Sequence, residues 1–167
     1  MFKYFCAALL LFLLSSCKEA VGNKESEYKT YAERFLRGEY GCDPSVIDEL
    51  AADSIKISYP IFEKLFGTPV IQGRDSAKQF LKHFCNTWKE TKIAIHNTVA
   101  EGNNVVFLWS FSAHNFSSTL PDEQPDSLVY SWGGITLIQF NDEGKIIAEI
   151  GEESTPGPFE RLTFSEK

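Results

Sequence analysis

The feature that most constrains the fold is the contrast between the two halves of the chain. Residues 73–89 (GRDSAKQFLKHFCNTWK) predict a helix with one apolar face, formed by Ala77, Phe80, Leu81, Phe84 and Trp88. Beyond it the chain has the pattern of long strands separated by polar turns, over 93–100, 105–114, 128–140 and 145–152. Helices first and strands last predict an α+β domain, with the helices packed on one face of a mostly antiparallel sheet.

Two further helices and a short strand are predicted before residue 73. Residues 25–37 carry apolar side chains at helical spacing, and Gly38 can end that helix. Asp43 followed by Pro44 is a typical helix start. Ile55 and Ile57 alternate with polar residues as in a strand, which Pro60 closes. The sequence therefore predicts three N-terminal helices.

The strand predicted over 105–114 has two different faces. One carries Phe107, Trp109 and Phe111, and the next strand adds Tyr130 and Trp132 to the same wall. Aromatic side chains on a sheet under a helix either pack as core or line a cavity, and the sequence leaves both open.

Polar side chains near this wall would fix the orientation of a ligand if the cavity exists. Tyr59, Thr136 and His114 are the candidates. A mostly apolar pocket with a few polar groups suits a small hydrophobic molecule.

The N-terminus predicts export and a lipid anchor. Lys3 precedes the apolar residues 4–14, a stretch too short to span a bilayer and typical of a signal peptide. Leu14-Ser15-Ser16-Cys17 resembles the lipobox of bacterial lipoproteins, and that resemblance implies cleavage before Cys17 and attachment of acyl chains such as palmitate to it. The alternative is a plain secretory signal with an incidental cysteine. Lys18 resembles an outer-membrane sorting pattern, so the predicted location is the bacterial cell envelope, with the lipid anchor in the outer membrane.

The predicted organisation is one domain behind this signal. Residues 1–17 form the signal peptide, 18–24 a polar tether, 25–162 the domain and 163–167 a tail. A formal net charge of −7 without a Lys/Arg cluster argues against nucleic acid as a partner.

Cys42 and Cys85 remain after cleavage. In an oxidising compartment the pair can form a disulfide, yet Cys85 lies near the apolar face of its helix and could equally be a buried thiol. Three scattered histidines without Cys/His spacing predict no metal site, and no cofactor motif is present.

Several segments in order resemble the SnoaL-like group of the NTF2-like superfamily. They are the opening helix, ELAADSIKISYP, QGRDSAKQFLKHF, TVAEGNNVVFLWSFSAH and WGGITLIQFNDEGKIIAEI. The resemblance implies an NTF2-like (cystatin-like) cone, in which a strongly bent sheet wraps around the long helix. Many relatives bind small hydrophobic molecules in that cone.

The catalytic residues of three related enzyme groups have no counterpart here. Ketosteroid isomerases carry a general-base Asp before the proline that follows the first strand, where this chain has Tyr59. Limonene epoxide hydrolases carry Arg and Asp where this chain has Trp109 and Phe111. SnoaL cyclases carry Asp where this chain has Gly151 and Ser154. Whether the protein is an enzyme is therefore left open.

The remaining acid–base candidates are Glu152, facing the cone from the last strand, and His114. Equally, Glu149, Glu152 and Glu153 can be the solvated end of an edge strand, and His114 a residue of the rim. Three functions follow: a lipoprotein that binds a small hydrophobic ligand, a homodimer or protein-interaction module of the envelope, and an isomerase-, cyclase- or hydrolase-type enzyme. The dimer surface would include the opposite sheet face, with Val106, Leu108, Ile135 and Leu137.

Overall fold

A computed structural model describes residues 24–116 and 128–163. The predicted signal peptide with Cys17, and residues 117–127, lie outside these residues. The elements in chain order are α1 (24–40), α2 (Ser45–Leu50), β1 (Ala51–Ser58), α3 (Ile61–Phe66), β2 (Ile71–Gln72), α4 (Arg74–Thr87), β3 (Trp88–Glu101), β4 (Asn104–Asn115), β5 (Val129–Phe140), β6 (Ile146–Ser154) and α5 (Pro158–Thr163).

The strands form one six-stranded sheet in the order β2-β1-β6-β5-β4-β3. All neighbouring strands are antiparallel except β1 and β6, which are parallel. The predicted α+β class with a mostly antiparallel sheet is confirmed. The short helices α3 and α5 were not predicted, because six residues are too few for a periodic apolar pattern to stand out.

The core lies between the sheet and the helices. On β4, the alternate residues Val105, Phe107, Trp109, Phe111 and Ala113 are all buried, as the alternation predicts. From α1, Tyr28 stacks on Phe140 of β5, with ring centroids 4.2 Å apart. At the other end of α1, Tyr40 packs on Trp109 at 5.0 Å. Helix α1 therefore lies along the inner face of the sheet.

Helix α1 continues past Gly38, where the sequence predicted its end. A Cβ at Gly38 would lie 2.4 Å from Cγ1 of Val46, so the glycine serves the close approach of α2 and not a helix terminus. The extra turn carries Glu39 and Tyr40 onto the buried face of α1.

A disulfide joins Cys42, in the turn after α1, to Cys85 near the end of α4. Of the two alternatives that the sequence left open for this pair, the structure has the bonded form. The bond joins the end of α1 to α4, next to the packed rings of Tyr40 and Phe84.

An irregularity in β6 decides which of its side chains point inward. Ile146 pairs with Phe140 and Ala148 with Gln139, so β6 has one extra residue at this point. Simple alternation from the buried Ile146 would turn Glu152 inward. After the bulge, Glu149 and Glu153 face inward instead.

The outer face of the sheet is partly covered by α5. The ring of Phe159 on α5 stacks on the ring of His96, with ring centroids 3.6 Å apart. Nε2 of His96 forms a hydrogen bond with Oγ of Ser110 on β4. Ile135 and Ile150 on the same face are exposed. None of the helices in the described residues is long and apolar enough to cross a membrane.

Candidate functional site

A cavity of about 600 Å³ opens between the helices and the inner face of the sheet. This volume is in the range of small-molecule sites in proteins. The lining is dominated by aromatic side chains: Tyr40, Tyr59, Phe62, Phe80, Phe84, Trp88, Tyr130 and Trp132. Glu39, Glu149 and Glu153 lie among these rings and supply its acidic groups.

The predicted ligand-binding residues are divided between the cavity and the core. Tyr59, Tyr130 and Trp132 line the cavity. The other four do not: the side chains of Phe107, Trp109, Phe111 and Thr136 are buried in the layer beneath. Helix α1 covers this part of the sheet through Tyr40, whose ring packs on Trp109 and on Phe111. These core residues support the cavity and do not form its wall.

A chain of hydrogen bonds runs from the core to the cavity. The indole Nε1–H of Trp109 donates to Oγ1 of Thr136 at 2.9 Å. Oγ1 of Thr136 lies 3.0 Å from the hydroxyl of Tyr59, which donates to Oε1 of Glu149 at 2.5 Å. An indole can only donate and a carboxylate can only accept, so every hydroxyl proton in this chain points toward Glu149. These hydrogen bonds thus stabilise negative charge on Glu149.

Gly151 makes room for the ring of Tyr59. A Cβ at residue 151 would lie 2.0 Å from Cε1 of Tyr59, a distance that no side chain could occupy. The glycine lies between Glu149 and Glu153 on the inner face of β6, and the phenol ring passes over it. This close approach lets Tyr59 reach both Thr136 and Glu149.

Glu39 and Glu149 form a buried pair of carboxyl groups. Glu39 is 9% and Glu149 2% exposed. Burial, followed by the charge of Glu149 and the hydrogen bond between the two carboxyls, raises the pKa of Glu39 well above its usual value. Burial also raises the pKa of Glu149, but hydrogen bonds from Glu39 and Tyr59 act in the opposite direction. Of the two carboxyls, Glu39 therefore holds a proton more readily, and it shares that proton with Glu149.

The third carboxyl, Glu153, lies farther along β6. Burial raises its pKa, while a hydrogen bond with Trp132 opposes the shift. The phenols of Tyr40 and Tyr59 also have pKa values raised well above 10, first by burial and then by the nearby carboxylates, so both stay protonated. The cavity thus contains proton donors and acceptors in an apolar enclosure.

The structure does not bring the predicted acid–base pair of Glu152 and His114 together at the cavity. Glu152 is exposed on the outer face, where it pairs with Ile135, because the bulge in β6 shifts the alternation. His114 does not line the cavity, and its Nε2 lies 3.6 Å from Oε2 of Glu90 on β3. The alternative of a solvated acidic strand end is wrong for Glu149, which is buried.

Glu39 was missed because the helix was predicted to end at Gly38. The signal was present in the sequence: the buried stripe of α1 continues at helical spacing from Phe35 and Leu36 to Glu39 and Tyr40. Glu149 had no comparable signal, since the bulge that turns it inward is a property of strand pairing.

Chemically, the site can do two things. A carboxyl–carboxylate pair that shares a proton can donate and accept a proton on a bound molecule. It can also bind a group that takes the place of that proton. Within the described residues there is no cluster of histidine, cysteine, aspartate and glutamate suited to a metal ion.

Comparison with known families identifies the domain. The sequence profile of the SnoaL-like domain family matches residues 32–149, which is more than half of the chain. The chain belongs to the SnoaL-like family. A search of curated protein sequences finds no match.

Solved structures share this SnoaL-like fold at low sequence identity. A protein of Jannaschia sp. CCS1 assigned as a SnoaL-like polyketide cyclase has a TM-score of 0.64 and 15% identity, over 83% of this chain and 91% of its own. Its counterpart in Shewanella denitrificans OS-217 has a TM-score of 0.64 and 12% identity, over 82% and 97%. An epoxide hydrolase of M. tuberculosis has a TM-score of 0.59 and 15% identity, over 78% and 81%. At sequence identities this low, the similarity shows a shared fold and nothing beyond it.

Proposed function

We propose that this SnoaL-like protein binds a small, largely apolar molecule in its cavity, with a polar group of that molecule directed at Glu39 and Glu149. The observation that carries the proposal is the cavity itself, with aromatic walls and the carboxyl groups of Glu39 and Glu149 among them. The related folds of a cyclase and an epoxide hydrolase, whose names indicate action on organic molecules, support it.

A neutral hydrophobic fluorophore tests the binding. N-phenyl-1-naphthylamine should show enhanced fluorescence with the purified protein. Trp132→Ala should weaken binding by about tenfold, since burying an aromatic ring contributes roughly 1.5–3 kcal/mol. Ile135→Ala, on the exposed outer face of the same strand, is the matched control and should bind like the wild type. Equal binding by wild type and Trp132→Ala would place the probe outside the cavity.

A second function, acid–base catalysis on the bound molecule, is favoured by one observation. The Glu39–Glu149 pair lies at the cavity and holds a proton donor beside a proton acceptor. A donor and an acceptor with raised pKa values are suited to moving protons near neutral pH. The dimer or interaction module is less favoured, because α5 already covers part of the outer face.

We further propose that the protein is a lipoprotein of the bacterial envelope, anchored through Cys17. The support is in the sequence: Lys3, the short apolar segment and the lipobox-like residues before Cys17. Cys17→Ser should move the protein from the membrane pellet to the soluble fraction and abolish incorporation of labelled palmitate. Cys6→Ser, within the apolar segment, should change neither result. A membrane-bound, labelled Cys17→Ser variant would contradict the anchor.

A further inference from the structure

We propose that the ligand of the cavity is an organic cation, an amine or quaternary ammonium compound with apolar substituents, whose charge lies against Glu39 and Glu149. This inference rests on the proposed binding function and specifies the chemical class of the ligand. Three properties of the lining carry it: the sign of its charges, a buried carboxylate oxygen that only the carboxyl of Glu39 can satisfy among the described residues, and the arrangement of its rings.

The charged groups that line the cavity are acidic. The described residues of the lining include three glutamates and neither lysine nor arginine, and their single basic side chain is His83 on α4. A ligand with a carboxylate or phosphate would meet no fixed positive charge and would be repelled by Glu149. The net charge of the whole chain, −7, also favours the approach of cations.

One oxygen of the Glu149 carboxylate depends on Glu39 for a donor. Its Oε2 is buried and accepts no hydrogen bond from an N–H or hydroxyl group of the described residues. The facing carboxyl of Glu39 can satisfy it only by keeping a proton. A buried carboxylate oxygen without a donor is strongly unfavourable, so this place holds either a proton or another positive charge. An ammonium group that enters between the two carboxyls takes the place of the proton, and Glu39 then ionises.

The aromatic side chains of the lining suit both the cationic group and the apolar substituents of such a ligand. Trp88 and Trp132 lie with ring centroids 5.0 Å apart at a tilt of 58°, and Tyr40 and Phe84 meet edge to face at 5.7 Å. Faces of aromatic rings attract cations within about 6 Å of the ring centre, and several rings together form the cages that bind quaternary ammonium groups. Phe62 and Phe80, 4.8 Å apart, offer an apolar surface for the substituents.

The decisive experiment compares two molecules of the same shape. Phenyltrimethylammonium carries a positive charge, and tert-butylbenzene is its neutral isostere. By titration of the tryptophan fluorescence of the purified protein at pH 8, the cation should bind at least about tenfold more tightly than the isostere. Equal affinities would overturn the inference about charge while leaving the proposed binding function intact. Failure of both compounds to bind, together with failure of N-phenyl-1-naphthylamine, would overturn both.

Matched variants locate the charge. Glu149→Gln keeps the shape of the side chain and should abolish the preference for the cation, whereas Glu152→Gln, on the outer face of the same strand, should preserve it. Retained binding of N-phenyl-1-naphthylamine shows that the cavity of Glu149→Gln is intact. If Glu149→Gln fails to fold, the comparison of the two isosteres on the wild type still decides the question. A preference that survives in a folded Glu149→Gln variant would contradict the assignment.

The affinity for the cation should also rise with pH, because the cation displaces the proton shared by the pair. The other ionisable groups that line the cavity are Tyr40 on α1, Tyr59 after β1, His83 on α4 and Glu153 on β6. The two phenols stay protonated and do not contribute. Glu39→Gln carries no displaceable proton and should reduce this dependence. An affinity independent of pH in the wild type would show that the cation does not take the place of the proton.

Discussion

Replacing both Cys42 and Cys85 with alanine should lower the free energy of unfolding by about 4 kcal/mol. The disulfide closes a loop with a sequence separation of 43 residues, and the chain-entropy model assigns a cost of this size to opening such a loop. Denaturant titration of the wild type and the double variant under oxidising conditions measures the difference.

Reduction of the wild type provides the control. A reductant should bring the stability of the wild type down to that of the double variant and leave the variant unchanged. A difference below about 1 kcal/mol would mean that the unfolded chain does not gain the freedom that the model assumes.

The Cys42–Cys85 disulfide should also affect ligand binding in the cavity. Glu39 and Tyr40 come just before Cys42, and Phe84 directly precedes Cys85, so the disulfide joins two segments that line the cavity. The double variant should therefore also bind N-phenyl-1-naphthylamine more weakly.

Glu39→Gln should flatten the dependence of stability on pH. The folded state raises the pKa of Glu39 well above 4.5, so the native protein holds a proton that the unfolded chain releases at lower pH. The resulting stabilisation is fully present below the unfolded pKa and is lost as the pH rises through the folded pKa. Over that window one proton corresponds to a slope of up to about 1.4 kcal/mol per pH unit. Glutamine keeps a donor for Glu149 and binds no proton, so the variant should lose that slope.

Denaturant unfolding at a series of pH values from 4 upward measures both slopes. Glu152→Gln is the control, because this exposed carboxyl lies on the outer face and its replacement should leave the slope of the wild type unchanged. Parallel pH profiles for the wild type and Glu39→Gln would show that Glu39 does not hold the proton of the pair.

Much of the fold could be predicted because its signals are local. The aromatic alternation of Phe107, Trp109 and Phe111 places these residues on the inner face of β4, and the structure has them there. The amphipathic pattern of α4 predicts its buried residues Ala77 and Leu81. In both cases the period of the side chains along one element decides which face meets the core.

The candidate site could be predicted only in part. Tyr59, Tyr130 and Trp132 were identified from the sequence, whereas the two carboxyls of the pair were not. Glu39 depends on one more turn of α1, which the packing of Val46 against Gly38 permits. Glu149 depends on the bulge in β6, since a one-residue shift moves every later side chain to the opposite face.

The sequence by itself determined the α+β class, the aromatic inner face and the resemblance to the SnoaL-like family, because periodicity and composition act within single elements. Only the tertiary structure decided which acidic residues face the cavity. Their direction is set by pairing and packing between elements distant in the chain: β6 against β5, Tyr59 over Gly151, and α1 against the sheet. Such contacts leave no period in the sequence, and the chemistry of this cavity depends on them.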